Sequence, residues 1–483
     1  MNRTISRQAE GDGNLVRSFV FAVLALVLGI VIAVAVSKFG ILAALAVVGL
    51  IVLVVTLSVP DLGLFLFLFA IYTNLSSVLI SNYSLPSIAK PMVIFMGGVI
   101  LVRYFIFNDE YRGWIFPTLL FGLYAVLGIL SLVYAANYDL ASTTLIDYLK
   151  DALIGVIVIL LAQRPRSLKI AVWAILTAGL FMATISIFQQ FTGTFSNQYL
   201  GFSMVSANSV YGNRLSGPIG DPNFFAQIMV VLLPIALDRV WNEKRTLLKT
   251  LAAWTFLATF LTVIYTYSRG SFLALVVAFF IMGIMRPPRL PVALLGLAVF
   301  AIFFQFIPSN YRDRITSLIN ILPNSGTGGY VDASIQGRTS ENLVALNMFR
   351  DNPILGVGIG NYNTYYLSYS RKLGLDSRLQ NRSAHNLYLE VAAERGVVGL
   401  IVFGGIVVLT LRQTFTAGRK FKQLGRDDFS DLALALGVSF IAYLVASIFL
   451  HDAYPRFFWV LTGICWALPQ SVQYFSVQKA LHP

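Results

Sequence analysis

The chain has 483 residues, of which 57% are apolar and 12% charged, with a mean hydropathy of +0.76. A soluble domain carries about 25% charged residues, so this composition is that of a membrane protein. The net charge of +13 is spread over short segments between apolar runs, which suits topology-setting and headgroup contact and argues against nucleic acid as a partner. One cysteine, Cys465, and three scattered histidines, His385, His451 and His482, exclude a disulfide framework and a structural zinc site.

In chain order, residues 1–17 read as a polar, basic cytoplasmic tail. The run 18–36 is followed at once by another, so it reads as a first transmembrane helix and not as a cleaved signal peptide. Runs long enough to cross a hydrocarbon core of ~30 Å stand near 18–36, 41–59, 62–80, 91–107, 115–134, 170–191, 251–267, 270–285, 291–307, 432–450 and 457–474. Shorter ones lie near 148–162, 224–237 and 397–411. In lipid the backbone must satisfy its own polar groups, so these runs are predicted to be helices. The fold expected is an all-α polytopic membrane bundle of about 12–14 transmembrane helices, with a large extracytoplasmic loop at 308–396 that contains short amphipathic helices. The expected divisions are N-terminal spans at 18–191, a core at 192–411, and C-terminal spans and tail at 412–483.

With the N-terminus inside, twenty Lys/Arg fall on inner segments and six on outer ones, leaving the long loop aside. That bias places both termini in the cytoplasm and the long loop outside. The loop holds nine Lys/Arg, seven Asp/Glu, seven Tyr and one His. A connection that merely spans has no use for such a set. Within it, Gly337-Arg338-Thr339-Ser340-Glu341-Asn342 ahead of Leu343, Leu346 and Phe349 predicts a capped amphipathic helix of about three turns, ended by Asn352-Pro353. The stretch 384–395 predicts a second helix, with His385 and Leu389 on one side and Asn386, Glu390 and Glu394 on another. The glycines of Gly356-Val357-Gly358-Ile359-Gly360 have the wrong spacing for a nucleotide loop and are expected to let the chain lie close against the bundle.

Candidate functional residues face the outer side. Arg269, in Tyr267-Ser268-Arg269-Gly270, joins two apolar runs with almost no loop between them. A cation so near membrane depth is costly unless it binds a ligand or snorkels to headgroups. Arg338 and Arg214 face the same compartment; each alone is an ordinary loop charge, but three converging guanidinium forks suit a diphosphate. His385 has the side chain most often used as a general base, and His451 is a weaker rival for an orienting or relay role. Asp221 and Asn223 bracket a proline at a helix start. Tyr362, Tyr365, Tyr366, Tyr369 and Tyr388 suit either sugar stacking or an interfacial belt.

Taken together, Gly220-Asp221-Pro222-Asn223-Phe224, Tyr267-Ser268-Arg269-Gly270, Gly337-Arg338 leading to Asn352-Pro353-Ile354-Leu355-Gly356, and His385-Asn386-Leu387-Tyr388-Leu389-Glu390 with Glu394-Arg395-Gly396 resemble the bacterial O-antigen ligase and O-antigen polymerase superfamily. The resemblance covers roughly residues 200–412. It implies an enzyme of the cytoplasmic membrane, without cofactor or metal, that moves a glycan from a polyprenyl-diphosphate carrier to a hydroxyl on a glycan, lipid or protein acceptor. It further implies that Arg269 and Arg338, with Arg214 less firmly, bind the diphosphate and that His385 is the base. Asp221, Asn223, Ser268, Asn386, Glu390 and Glu394 would support them. The rival readings are a flippase or secondary transporter of lipid-linked oligosaccharides and a non-catalytic scaffold. The sequence leaves ligase against polymerase, and the oligomeric state, open.

Overall fold

The structure is a computed structural model, and it describes residues 54–208, 212–287, 333–375, 381–451 and 454–481. The expected spans at 18–36 and 291–307, most of that at 41–59, and residues 308–332 of the long loop lie outside the described residues. The chain divides into units 1–63 and 64–483. In the first, the described residues 54–63 are helical apart from Val59.

The described elements are α1 (Pro60–Tyr72), α2 (Leu75–Tyr83), α3 (Ala89–Ile106), α4 (Ile115–Ser131), α5 (Tyr138–Leu161), α6 (Pro165–Thr192), β1 (Met204–Asn208), β2 (Gly212–Gly217), α7 (Pro222–Asn242), α8 (Thr246–Tyr265), α9 (Arg269–Met285), α10 (Ala333–Asp351), α11 (Tyr362–Leu373), α12 (Leu387–Gln423), α13 (Asp427–Ala446) and α14 (Arg456–Leu481). By length and composition, six of these can cross a membrane: α3, α6, α7, α8, α12 and α13. The pair α1–α2, bent by 52° at Thr73 and Asn74, makes a seventh if it is one span, and α4 and α9 are shorter apolar helices. The hydropathy reading also counted spans within α5 and α14. Polar residues interrupt both: Asp147, Lys150 and Asp151 in the first, Gln470 and Gln473 in the second.

Apolar burial organises the bundle. Helix α7 is apolar almost all round, and its window is 78% buried, as expected for a central helix. It packs between α8 and α13, while α12 lies against α13 and α14, and α14 against α5. Ile94, Phe105, Phe280, Ile284 and Val408 are exposed; in a bundle of this kind such side chains meet lipid. The antiparallel hairpin β1–β2 in the 192–223 connection is the one departure from all-α structure among the described residues, and it pairs Ser206 with Arg214.

The long loop differs from expectation in two places. Helix α10 begins at Ala333, upstream of the expected cap. Thr339 and Ser340 therefore lie inside a ladder already begun and cannot serve as its N-cap. His385 is not helical either: it stands at φ 45, ahead of α12. Asn386 is the cap, its side chain accepting from Tyr388 N and Leu389 N. A cap needs non-helical backbone, so His385 is held outside the helix and does not share a face with Leu389.

Helix α12 is broken at Gly396, where φ is 62 and ψ −163, a conformation essentially reserved for glycine. Segment 353–360 docks on the break. Ala393 and Glu394 carbonyls accept from Val357 N (2.8 Å) and Gly358 N (2.9 Å), while Val397 N donates to Pro353 O (2.8 Å). The expected close approach of the glycine segment is present. A Cβ on Gly356 would lie 2.3 Å from the Glu394 carbonyl carbon, and one on Gly396 2.2 Å from Ile354 O. Gly396→Ala should therefore lower stability by about 1–3 kcal/mol from backbone conformation alone, with the clash added. Thermal unfolding in detergent will show a fall of several degrees, and an unchanged midpoint would refute this account of the break.

Candidate active site

The predicted site residues lie at one end of the bundle, where α7, α9, α12 and α14 begin and α8 and α13 finish. Three side chains there set helix starts. Asp221 caps α7, its Oδ1 accepting from Asn223 N (2.8 Å) and Phe224 N (2.7 Å). Ser268 caps α9 and Asn386 caps α12. Arg214, from β2, is 7% exposed, donating Nε–H to Thr266 O (2.8 Å) and Nη2–H to Asn223 Oδ1 (2.9 Å). It thereby ties the hairpin, the start of α7 and the α8–α9 turn together, a clamping role the sequence did not suggest.

Arg269 is the first residue of α9 and is buried, after Tyr267 at φ 53. A cation in a first turn opposes the helix dipole, so helix stability does not account for an arginine there. A Cβ on the neighbouring Gly270 would fall 2.7 Å from the Phe449 ring. The turn thus lies directly against the short 3-10 segment Ser447–Phe449, which leads to His451.

His385 and His451 form an edge-on pair with ring centroids 4.6 Å apart. Beneath them stands Glu341 of α10, fully buried. Its Oε2 is 2.9 Å from His385 Nδ1 and its Oε1 is 2.9 Å from Arg382 Nε. Neither contact has hydrogen-bond alignment; that with Arg382 is an ion pair, and that with His385 becomes one when the imidazole takes up a proton. His385 Nδ1 also lies 3.1 Å from Ser383 O. Ser383 O can only accept, so in the neutral ring the proton sits on Nδ1 and the lone pair on Nε2. Gly337 makes room for Arg382, whose Nη1 would sit 2.5 Å from an added Cβ. Arg338, half-buried, lies one turn before Glu341 on the same helix.

Burial depresses the His451 pKa to about 4, with help from the neighbouring His385 and Arg338, while Asp221 and Glu341 act in the opposite sense. Asp221, Arg338, Glu341 and His385 therefore all lie within electrostatic reach of His451. Among the described residues no group of three His, Cys, Asp or Glu side chains is placed to hold a metal ion.

Glu394 has a positioning role: its carboxylate accepts from Gly360 N (2.8 Å) and Tyr362 N (3.1 Å) at the start of α11. Glu390 is 9% exposed. Arg395 lies 3.8 Å over the Tyr124 ring and donates to Tyr124 O. Tyr362 and Tyr366 are core residues, so neither stacks on sugar nor joins a belt. Tyr362 Oη donates to Glu341 O (2.8 Å), anchoring the helix that carries the carboxylate. Sequence reasoning did not single out Glu341 or Arg382, which the structure brings to His385, and it ranked His451 low. Glu341 was read only as part of a capping motif, and no spacing rule links it to His385.

Fold and site together define a multi-pass α-helical membrane protein with a charged, partly buried cluster at one end. Residues 254–404, from within α8 to within α12, match the family described as O-antigen ligase. That match supports the O-antigen ligase superfamily and, in general terms, a membrane enzyme that transfers glycans. No curated protein matches the chain. Arg269, Arg338, Glu341, Arg382 and His385 fall inside the matched segment; Arg214, Asp221 and His451 come from outside it.

The depressed His451 pKa carries a stability consequence. Between about pH 4 and the usual histidine value near 6.5, the unfolded chain binds a proton that the folded chain refuses. The stabilisation is complete above about 6.5 and lost as pH falls toward 4, on the order of 3 kcal/mol in all. His451→Gln should flatten that acid limb in thermal unfolding followed from pH 7 to 4; an unaltered limb would assign the titration elsewhere.

Proposed function

We propose that the protein transfers a glycan from a polyprenyl-diphosphate carrier to an acceptor hydroxyl, at the extracytoplasmic face of a bacterial cytoplasmic membrane. The supporting observation is the meeting of an imidazole, its carboxylate partner and arginines at one end of the bundle. The sidedness rests on the excess of Lys/Arg in the segments at the other end.

In this reading Nε2 of His385 accepts the acceptor hydroxyl proton as that oxygen bonds to the donor's anomeric carbon. The carbon–oxygen bond to phosphate breaks, and its electron pair leaves with the diphosphate. Arg269 and Arg338 stabilise the charge that develops there, each well-placed donor being worth about 3–4 kcal/mol in a site shielded from water. Arg214 contributes by fixing the Arg269 turn. Glu341 orients the imidazole and compensates the imidazolium that forms, the division of labour seen in triads. His451 stays neutral beside it and adds no competing positive charge.

Purified protein supplied with a polyprenyl-diphosphate glycan and a panel of hydroxyl acceptors tests the proposal. His385→Ala should lose about 10²–10⁴-fold in kcat. Arg269→Ala should abolish transfer, and Arg269→Lys should recover little, because a point charge does not reproduce the bidentate fork. Donor crossing liposomes without product would replace transfer with transport. Glu341→Gln, which keeps the shape and removes the charge, should cost at least about tenfold in kcat with the donor KM little changed, because the imidazolium that forms loses its compensating carboxylate. Wild-type turnover would remove Glu341 from the mechanism.

A further inference from the structure

A second polar site lies beside the cluster, on the side formed by α2, α3, α5 and the start of α14. It is a cavity of about 360 Å³, within the size range of small-ligand sites of about 300–1,000 Å³. Tyr454 and Arg456 on its wall follow His451 closely in the chain. On the other flank Asn74 Nδ2 donates to Pro218 O (2.9 Å), three residues before Asp221. The cavity and the charged cluster thus share the same connecting segments. Arg269 stands on α9, which packs against α7 and α13, whereas the cavity is built from helices grouped around α5.

The lining is chemically mixed. Asp151 is 5% exposed; its Oδ2 accepts from Arg456 N (3.0 Å), while its Oδ1 receives no hydrogen bond. Lys150 Nζ is 2.7 Å from Asp147 and 3.5 Å from Asp151 Oδ1. Ser87, Thr144, Lys90 and Arg456 supply further hydroxyl and cationic groups. With Lys150 at ion-pair distance but no hydrogen bond made, this buried carboxylate oxygen can still accept from a ligand's O–H group, which offsets part of its desolvation.

Three cations in the wall oppose a divalent metal, and two carboxylates oppose a bare phosphate. A sugar ring suits such a wall, since each of its hydroxyls both donates and accepts. The geometry points to a binding site for a saccharide unit of the acceptor, held on the side of the histidine pair away from Arg269. This inference rests on the glycan-transfer reading for the word acceptor, and on the cavity alone for the word saccharide.

Two measurements separate those dependencies. In the transfer assay, Lys90→Ala and Asp151→Asn should each raise the acceptor KM by about tenfold, the worth of one charge-assisted contact, with kcat and the donor KM within about twofold. Lys90 is exposed at the start of α3, so its variant keeps the fold even if Asp151→Asn does not. In parallel, saturation-transfer NMR on His385→Ala protein in detergent uses glucose, glucuronate and glycerol 3-phosphate as probes. Saccharide signals that vanish in the Lys90→Ala background support the site, even if the wild type transfers nothing and the transfer reading fails. Normal transfer with an unchanged acceptor KM in both variants overturns the site and leaves the transfer reading intact. Binding of glycerol 3-phosphate in preference to either saccharide, or of no saccharide at all, also overturns it.

Discussion

The interruption of α12 at Gly396 is the constraint on which the site depends. A helix that breaks within a packed bundle leaves carbonyls and amides without partners, and these are costly to bury. Here the 353–360 segment takes both sets, through Val357, Gly358 and Val397. The same short strap connects α10 to α11, so the hydrogen bonds that repair α12 also fix where α10 stands. Glu341 and Arg338 are carried on α10, and His385 precedes α12. A backbone repair thereby sets the separation of a carboxylate and an imidazole that are distant in sequence.

The charges at this end are arranged around burial. Glu341 is fully enclosed, yet it faces Arg382 and His385 at ion-pair distance. A lone buried carboxylate would be expensive, and the Arg382 guanidinium beside it is what makes it tolerable. His451 meets the same enclosure without a cation-stabilising contact strong enough to offset it, so it loses its proton instead. Two adjacent imidazoles thus acquire unequal duties: one couples to a carboxylate, and the other is a neutral neighbour.

Much of this was legible in the sequence because it depended on local chemistry. Apolar runs identified the helices, the Asp221-Pro222-Asn223 start behaved as a cap, and the glycines of 356–360 made the close approach expected of them. What was illegible depended on distance along the chain. Glu341 looked like a capping residue because its partners, His385 and Arg382, lie beyond a further helix. Arg214 looked like a loop charge because the hairpin that points it at Thr266 and Asn223 gave no apolar signal. The tyrosines of α11 were read as sugar-stacking or interfacial side chains, although Tyr362 and Tyr366 supply apolar surface to a small separate core.

The boundaries of the family match, 254–404, do not coincide with those of the charged cluster. Arg214 reaches the α8–α9 turn from upstream, and His451 meets His385 from downstream. The matched segment therefore holds only part of the charged cluster. Recombination that moved the matched segment alone into another bundle would carry His385 and Glu341 together but leave behind the Arg214 clamp and the second imidazole.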